Sequence, residues 1–224
     1  MSKVHVYLDL GSQPSRTVLW LCRLLKVPHE LHVLRLDKGD SKTPDYLKIH
    51  PMGKVPAIVY EDRPMIESSA ICIWLCQKFG GEKYFPRSPD AQFPVNSYLG
   101  WHNTFRGGCA GFFGGAIMRP VAAGKKLEAE RVARLEKNLD DVLRLLENVW
   151  LNGKPYICGD NVTLADLQAI NELNQVLPFH STCLSKYPQI RNWVSRMELY
   201  PGYNEMMEGW NKVAKLLTGR HSKL

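Results

Sequence analysis

No two cysteines in this 224-residue sequence have the C-x-x-C spacing of a dithiol or zinc motif. The six present, Cys22, Cys72, Cys76, Cys109, Cys158 and Cys183, are scattered. Cys72 and Cys76 stand four apart in a helical pattern, but no second His or Cys pair completes a metal set. No metal is therefore expected, and the thiols read as buried, reduced groups of a reducing compartment. Long apolar runs are also missing. The longest, Ala70 to Cys76, is far too short to cross a bilayer. Met1 to Val6 lacks the apolar core of a signal peptide, so neither a membrane partner nor a secretory route is expected. A net charge of +7 has no concentrated basic stripe behind it. Lys and Arg alternate with Glu and Asp, as from Lys125 to Lys137, which argues against nucleic acid as a partner. The positive field still favours a small anionic ligand. With 45% hydrophobic and 23% charged residues, the composition is that of an ordinary globular protein.

What is present falls into two halves. Val4 to Leu8 alternates as a strand, and Pro14 opens a helix carrying Val18, Leu21, Cys22 and Leu25 on one face. Leu31 to Leu34 reads as a second strand, Asp45 to Ile49 as a short helix, and Val55 to Tyr60 as a turn into a third strand. Arg63 to Ile66 returns as a fourth, and Glu67 to Phe79 is a helix stopped by Gly80 and Gly81. This β-α-β-α-β-β-α order predicts an α/β domain over residues 1–80. A linker follows from Gly80 to Asp90, and an all-helical domain over residues 91–224. Val132, Leu135, Leu139, Val142, Leu146 and Val149 step as one long amphipathic helix. Thr163-Leu164-Ala165-Asp166 is a capping box with Val162 and Leu167 as its hydrophobic staple. Pro188 to Met197 and Gly202 to Leu217 complete the helices. Glycines from Gly107 to Gly115 predict close helix packing or a broken helix.

Four segments carry a family resemblance. Ser12-Gln13-Pro14-Ser15-Arg16 follows the first strand, and His50-Pro51-Met52-Gly53-Lys54-Val55-Pro56-Ala57 precedes the third. Glu67-Ser68-Ser69-Ala70-Ile71 opens the third helix, and the capping box stands in the helical half. In this order and spacing the chain resembles theta-class glutathione transferases over nearly its whole length. The resemblance implies a thioredoxin-like α/β N-terminal domain plus an all-α C-terminal domain, the glutathione transferase fold. It also implies glutathione as co-substrate, a homodimer, and a small electrophile or organic hydroperoxide as second substrate.

Glutathione offers two carboxylates, one ammonium and one thiol, so its site needs cations or N–H donors, an acid and a thiolate stabiliser. A free thiol has a pKa of about 8.5, and lowering it by two units takes roughly 2.7 kcal/mol. One hydrogen bond to a charged group supplies about 1.5–3 kcal/mol, and a helix N-terminus about 0.3–1 kcal/mol more. Ser12, at the strand-to-helix turn, is the expected catalytic hydroxyl; as a lone residue it reads rather as a helix cap, and the other motifs reverse that balance. Ser15 is the weaker candidate, one turn into the helix. Ser12 to Ser15 also has the spacing of the Cys-x-Pro-Cys motif of glutaredoxins, but both sulfurs are absent, which argues against a dithiol mechanism.

The resemblance assigns glutathione binding to Ser41, Lys54, Val55, Pro56, Glu67, Ser68 and Arg106. It implies a cis Val55–Pro56 bond exposing the Val55 backbone to the cysteinyl residue. Glu67 suits the γ-glutamyl ammonium and Ser68 its carboxylate; Lys54 suits the glycyl carboxylate, with Ser41 standing where relatives often have histidine. Trp101 to Arg106 resembles the fourth-helix segment of the family with one residue fewer, which changes the direction expected of Arg106. Leu10, Phe105, Phe112, Phe113, Met118, Met206 and Trp210 are the candidates for the apolar second-substrate wall. A different class of reading, a non-catalytic interaction or ligand-binding module on the same fold, would not need these glutathione ligands together. Finally, Ser222-Lys223-Leu224 is a peroxisomal address read by an import receptor, so peroxisomes, with cytoplasm as a second location, are expected.

Overall fold

The structure, a computed structural model, describes residues 2–223. A four-stranded sheet is formed by β1 (Val4–Leu8), β2 (His29–Val33), β3 (Ala57–Tyr60) and β4 (Arg63–Met65), in the order β2-β1-β3-β4. β1 runs parallel to β2, with Val6 opposite Leu31, and antiparallel to β3, with Val6 opposite Ile58. β3 and β4 form a hairpin. Val4, Val6 and Leu8 point to one face, where α1 (Gln13–Leu24) and α3 (Ser68–Phe79) bury them. On the opposite face Tyr7 packs on Tyr46 of the short α2 (Pro44–Ile49).

One strand differs from expectation. β2 starts at His29 rather than Leu31, because its parallel pairing begins at Val4 opposite His29. As the edge strand it leaves Leu31 and Val33 exposed, so apolar content there marks no core. β3 begins at Ala57, after the turn at the Val55–Pro56 peptide, which is cis.

The second half is helical: α4 (Pro89–Phe112), α5 (Arg119–Ala123), α6 (Ala129–Leu145), α7 (Leu164–Leu173), α8 (Pro188–Glu198) and α9 (Tyr203–His221). α4 starts where Ser88 caps it, its hydroxyl accepting from the Ala91 N–H, with Pro89 in the first turn. The glycine-rich run does not break α4. The helix continues and widens into a π-helical turn at Phe113–Met118. Gly108 and Gly115 let α6 approach: a Cβ on Gly108 would stand 2.4 Å from Val142, and one on Gly115 2.7 Å from Leu135.

In α6, Leu139, Val142 and Leu146 are buried as the periodicity predicts, but Val149 is 55% exposed. A second π-helical turn, Leu146–Leu151, shifts the phase of the stripe before Val149 is reached. α7 is buried all round and forms the central post of the molecule. The Asp166 carboxylate accepts from the Thr163 N–H (2.9 Å), the Ile157 N–H (2.9 Å) and Trp193 Nε1 (3.0 Å). Its burial raises its pKa, and these bonds oppose the rise. α7 also packs along α1, so one hydrophobic core runs through both halves.

Candidate active site

The turn between β1 and α1 is built by Asp9. Its Oδ1 accepts from the Gly11 N–H (2.7 Å), its Oδ2 from the Leu36 N–H (3.2 Å), and its backbone carbonyl from the Ser12 N–H (3.0 Å). Ser12 thus stands at the N-cap position of α1, with φ −80° and ψ 122°, yet its hydroxyl makes no capping bond. The oxygen is left available, and Ser12 lines a cavity of about 600 Å³ between the two halves. Ser15 is fully buried, its hydroxyl has no partner, and it lines neither this cavity nor the one beside it.

Beneath the turn lies a polar layer joining α1 to α7. Arg16 is buried; its NH1 donates to the carbonyls of Leu10 (3.3 Å) and Gly11 (3.0 Å), and its Nε to Asn171 Oδ1 (3.0 Å). Its guanidinium carbon lies 5.0 Å from the Trp210 ring centroid, a cation–π contact. Burial lowers the Arg16 pKa to about 10, with Glu172 opposing the shift, so the group remains a cation at neutral pH. Glu172, 1% exposed, accepts from Gln13 Nε2 (2.9 Å); its other oxygen lies 3.5 Å from His102 Nε2 and 3.7 Å from Arg106 Nε. Gln13 also exchanges two hydrogen bonds with Gln175, at 2.8 and 2.9 Å. The residue following Ser12 is therefore held by three side-chain bonds from the helical half.

Arg106, half exposed, projects from α4 over the larger cavity and also lines a smaller one of about 340 Å³. Lys54 and Val55 line both, so the two volumes are adjacent. The smaller cavity is bounded by Pro56, Glu67 and Ser68, with His50 and Asn103. Glu67 stands at the N-cap of α3 with φ +69° and ψ 106°, a conformation that costs a non-glycine residue about 1–3 kcal/mol. Its side chain makes no capping bond, which leaves the first N–H groups of α3 as anion donors. His50 is buried with Nδ1 unpartnered; burial lowers its pKa against the pull of Glu67, favouring the neutral ring. The larger cavity is apolar away from Ser12, where Phe113, Met118, Trp210, Val213 and Leu217 line it.

Of the residues named from sequence, Ser12, Lys54, Val55, Pro56, Glu67, Ser68, Arg106, Phe113, Met118 and Trp210 meet around these two cavities. Several do not. Ser41 is buried and lines neither cavity; its carbonyl packs under Gly53, where an added Cβ would come within 2.6 Å, so it supports the loop. Phe105 is fully buried on the inner side of α4, stacked on Trp101, and Phe112 is stacked on His180. Met206 is in the core, and Leu10 packs against Gly209 of α9 outside the cavity lining. Asp9, Gln13, His50, Asn103, Glu172 and Gln175 escaped the sequence reading. Asp9-x-Gly11 is a turn signal that could have marked the first of them. Ser222 and Lys223 are exposed beyond α9, while Leu224 lies outside the described residues.

A mixed sheet joined to a helical bundle, with a cavity between them headed by a serine at a helix N-terminus, is the architecture of a thiol-using transferase. Two family models match: "Glutathione S-transferase, N-terminal domain" over residues 12–78 and "Glutathione S-transferase, C-terminal domain" over residues 99–201. Human glutathione S-transferase theta-2 is 32% identical over 216 residues, covering 96% of this chain and 88% of the relative. Human glutathione S-transferase theta-1 is 31% identical, covering 95% and 89%. The solved structure of a human theta-class enzyme, in complex with the glutathione conjugate of 1-menaphthyl sulfate, superposes with a TM-score of 0.89. It is 32% identical and covers 99% of this chain and 91% of that one. The chain belongs to the glutathione S-transferase family, with theta-class enzymes as its relatives. It is a glutathione transferase, and glutathione is its co-substrate.

Proposed function

We propose that Ser12 activates glutathione by donating a hydrogen bond from its hydroxyl to the thiolate. The observation that carries this reading is the free Ser12 hydroxyl, uncommitted to capping, at the N-terminus of α1 and facing the larger cavity. One charge-assisted hydrogen bond of about 1.5–3 kcal/mol and a helix terminus of about 0.3–1 kcal/mol together suffice for a two-unit fall in thiol pKa. Arg106 adds positive charge from the opposite wall.

In this reading the γ-glutamyl end lies in the smaller cavity. Its ammonium meets Glu67, and its carboxylate meets the α3 N-terminus and the Ser68 hydroxyl. Val55 pairs through its backbone with the cysteinyl residue. Lys54 takes the glycyl carboxylate. The electrophile occupies the apolar end of the larger cavity, against Phe113, Met118 and Trp210.

With an alkylating electrophile the thiolate sulfur forms a bond to carbon and expels the leaving group. With an organic hydroperoxide it attacks the terminal oxygen, giving an alcohol and glutathione sulfenic acid. A second glutathione then forms the disulfide and releases water. A peroxisomal address at Ser222-Lys223-Leu224 favours this second use, since peroxisomes generate peroxides. The exposure of Ser222 and Lys223 supports receptor access. A second copy of the chain is the expected partner; Phe93, 73% exposed on α4, is an apolar group it would cover.

The test is glutathione-dependent turnover of an organic hydroperoxide and of an alkylating substrate by the wild type and Ser12→Ala. Loss of the thiolate bond predicts a fall of about 10–100-fold in kcat/KM for both. Equal activity in the two proteins would move the activating role elsewhere. Conjugation without peroxide turnover would remove the peroxidase use. A fluorescent fusion that stays cytoplasmic with the tripeptide intact at its C-terminus would remove the address. Sedimentation as a monomer at micromolar concentration would remove the homodimer.

A further inference from the structure

The outer face of the sheet carries donor groups that the glutathione site does not use. β1 and β2 are parallel and in register, with His5 opposite Glu30 and Tyr7 opposite His32. Alternation puts all four side chains on the same face. His5 Nδ1 lies 3.0 Å from His32 Nε2, Glu30 Oε1 lies 3.9 Å from the same nitrogen, and the three donor atoms all fall within 4.8 Å of one another. The His32 ring is steadied by stacking on Tyr7, with centroids 4.4 Å apart. None of the three residues lines either cavity of the active site.

We propose that His5, Glu30 and His32 form a binding site for a borderline divalent transition-metal ion of the Ni²⁺, Cu²⁺ or Zn²⁺ type. Two imidazole nitrogens and one carboxylate oxygen are the donors such ions prefer, and hard Mg²⁺ or Ca²⁺ is disfavoured by the imidazoles. The geometry agrees. Two ligands bound at about 2.1 Å stand about 3.0 Å apart at right angles, as around octahedral or square Ni²⁺ and Cu²⁺, which is the spacing of the two ring nitrogens; a tetrahedral Zn²⁺ needs them about 3.4 Å apart. The exposed Glu30 side chain needs only a rotamer change to close on the same point. The ordered strand pair supplies the preorganisation, and the open side leaves remaining positions to water. Without metal, one imidazole N–H donates to the other ring; on binding, that proton moves to the far nitrogen of its own ring, so that both facing nitrogens present lone pairs. Linear spacing gives no hint of the site, because a strand crossover separates His5 from Glu30-Leu31-His32.

The deciding measurement is isothermal titration of the untagged full-length chain with Ni²⁺ at pH 7.5, without glutathione. One equivalent per chain is expected. His5→Gln and His32→Gln should each weaken binding at least tenfold, and Glu30→Gln several-fold. Glutathione turnover should stay as in wild type, since none of these residues lines the active-site cavities. Ni²⁺ binding that is absent, or that is unchanged in all three variants, overturns the proposal. Should a histidine variant fail to fold, electron paramagnetic resonance of Cu²⁺ on the wild type decides. Coupling to two imidazole nitrogens supports the site, and a spectrum without nitrogen coupling overturns it.

Discussion

Glu172 is the residue on which the active-site turn leans. Its carboxylate is almost wholly out of water, yet it faces Gln13, His102 and Arg106 within 2.9 to 3.7 Å, with the buried Arg16 cation nearby. Removing one member of a buried charged set leaves the others uncompensated, which typically costs about 3–5 kcal/mol. Glu172→Leu is therefore expected to lower the urea-derived stability by about 3 kcal/mol or more. It should also lower turnover, because Gln13 and Arg106 lose their common anchor. An unchanged urea midpoint would show that the network is not stabilising. Glu67 presents a different balance. Its positive φ is a local cost retained beside the cavity, and Glu67→Gln keeps the backbone while removing the charge. If Glu67 meets the glutathione ammonium, the loss of one charge-assisted bond, about 1.5–3 kcal/mol, predicts at least a tenfold weaker glutathione affinity with little change in stability. Titration calorimetry with glutathione reads this directly.

At the scale of elements, the α4–α6 contact separates two glycines that look alike in sequence. Gly108 faces Val142 so closely that a Cβ would stand at 2.4 Å, whereas Gly107, one residue earlier, has open space. Gly107→Ala should stabilise by up to about 1 kcal/mol through helix propensity. Gly108→Ala should destabilise by about 1–3 kcal/mol, because α6 must move to admit the methyl group. Thermal melts of the pair test this, and equal shifts of the same sign would contradict the packing. Within the glycine-rich run, Gly108 and Gly115 serve close approach to α6, and a π-helical turn takes up the change of phase before α5.

Across the whole molecule, the thiols link stability to pH. Burial pushes Cys22 and Cys76 up to about 12 and Cys158 and Cys183 up to about 11, and raises Cys72 and Cys109 further. Below the ordinary thiol value of 9.0 they are protonated in both the folded and unfolded chain and give no slope. Above it the unfolded chain releases protons that the folded chain keeps. The unfolded state then binds fewer protons, and stability falls as pH rises from about 9 towards 12. Urea midpoints at pH 8 and pH 10 should show the loss, and Cys158 and Cys183, the two partly exposed thiols, should react first with a thiol reagent.

The sequence by itself determined the two-part architecture, because its signals are local. Alternation marks β1, three-and-four spacing marks α6, and Thr163 with Asp166 marks the start of α7. Ser12, Lys54, Val55-Pro56 and Glu67-Ser68 were named through the family resemblance, whose short motifs stand at strand ends and helix starts, and all of them line the two cavities. Side chains in the middle of helices carry no such marker. Phe105 and Phe113 are both aromatic residues of one continuous helical stretch, yet the first is sealed against Trp101 and the second borders the cavity. Only the rotation of α4 against α6 and α9 decides between them. Glu172 and Gln175 carry no local marker; they are buried and bonded to Gln13 only where α7 and the residues after it pack against α1, more than 150 residues away in the chain. His5 and His32 likewise meet only through the register of β1 with β2. Tertiary structure decided these cases because burial and charge pairing depend on which surfaces are brought together, a property of the folded chain and not of any single segment.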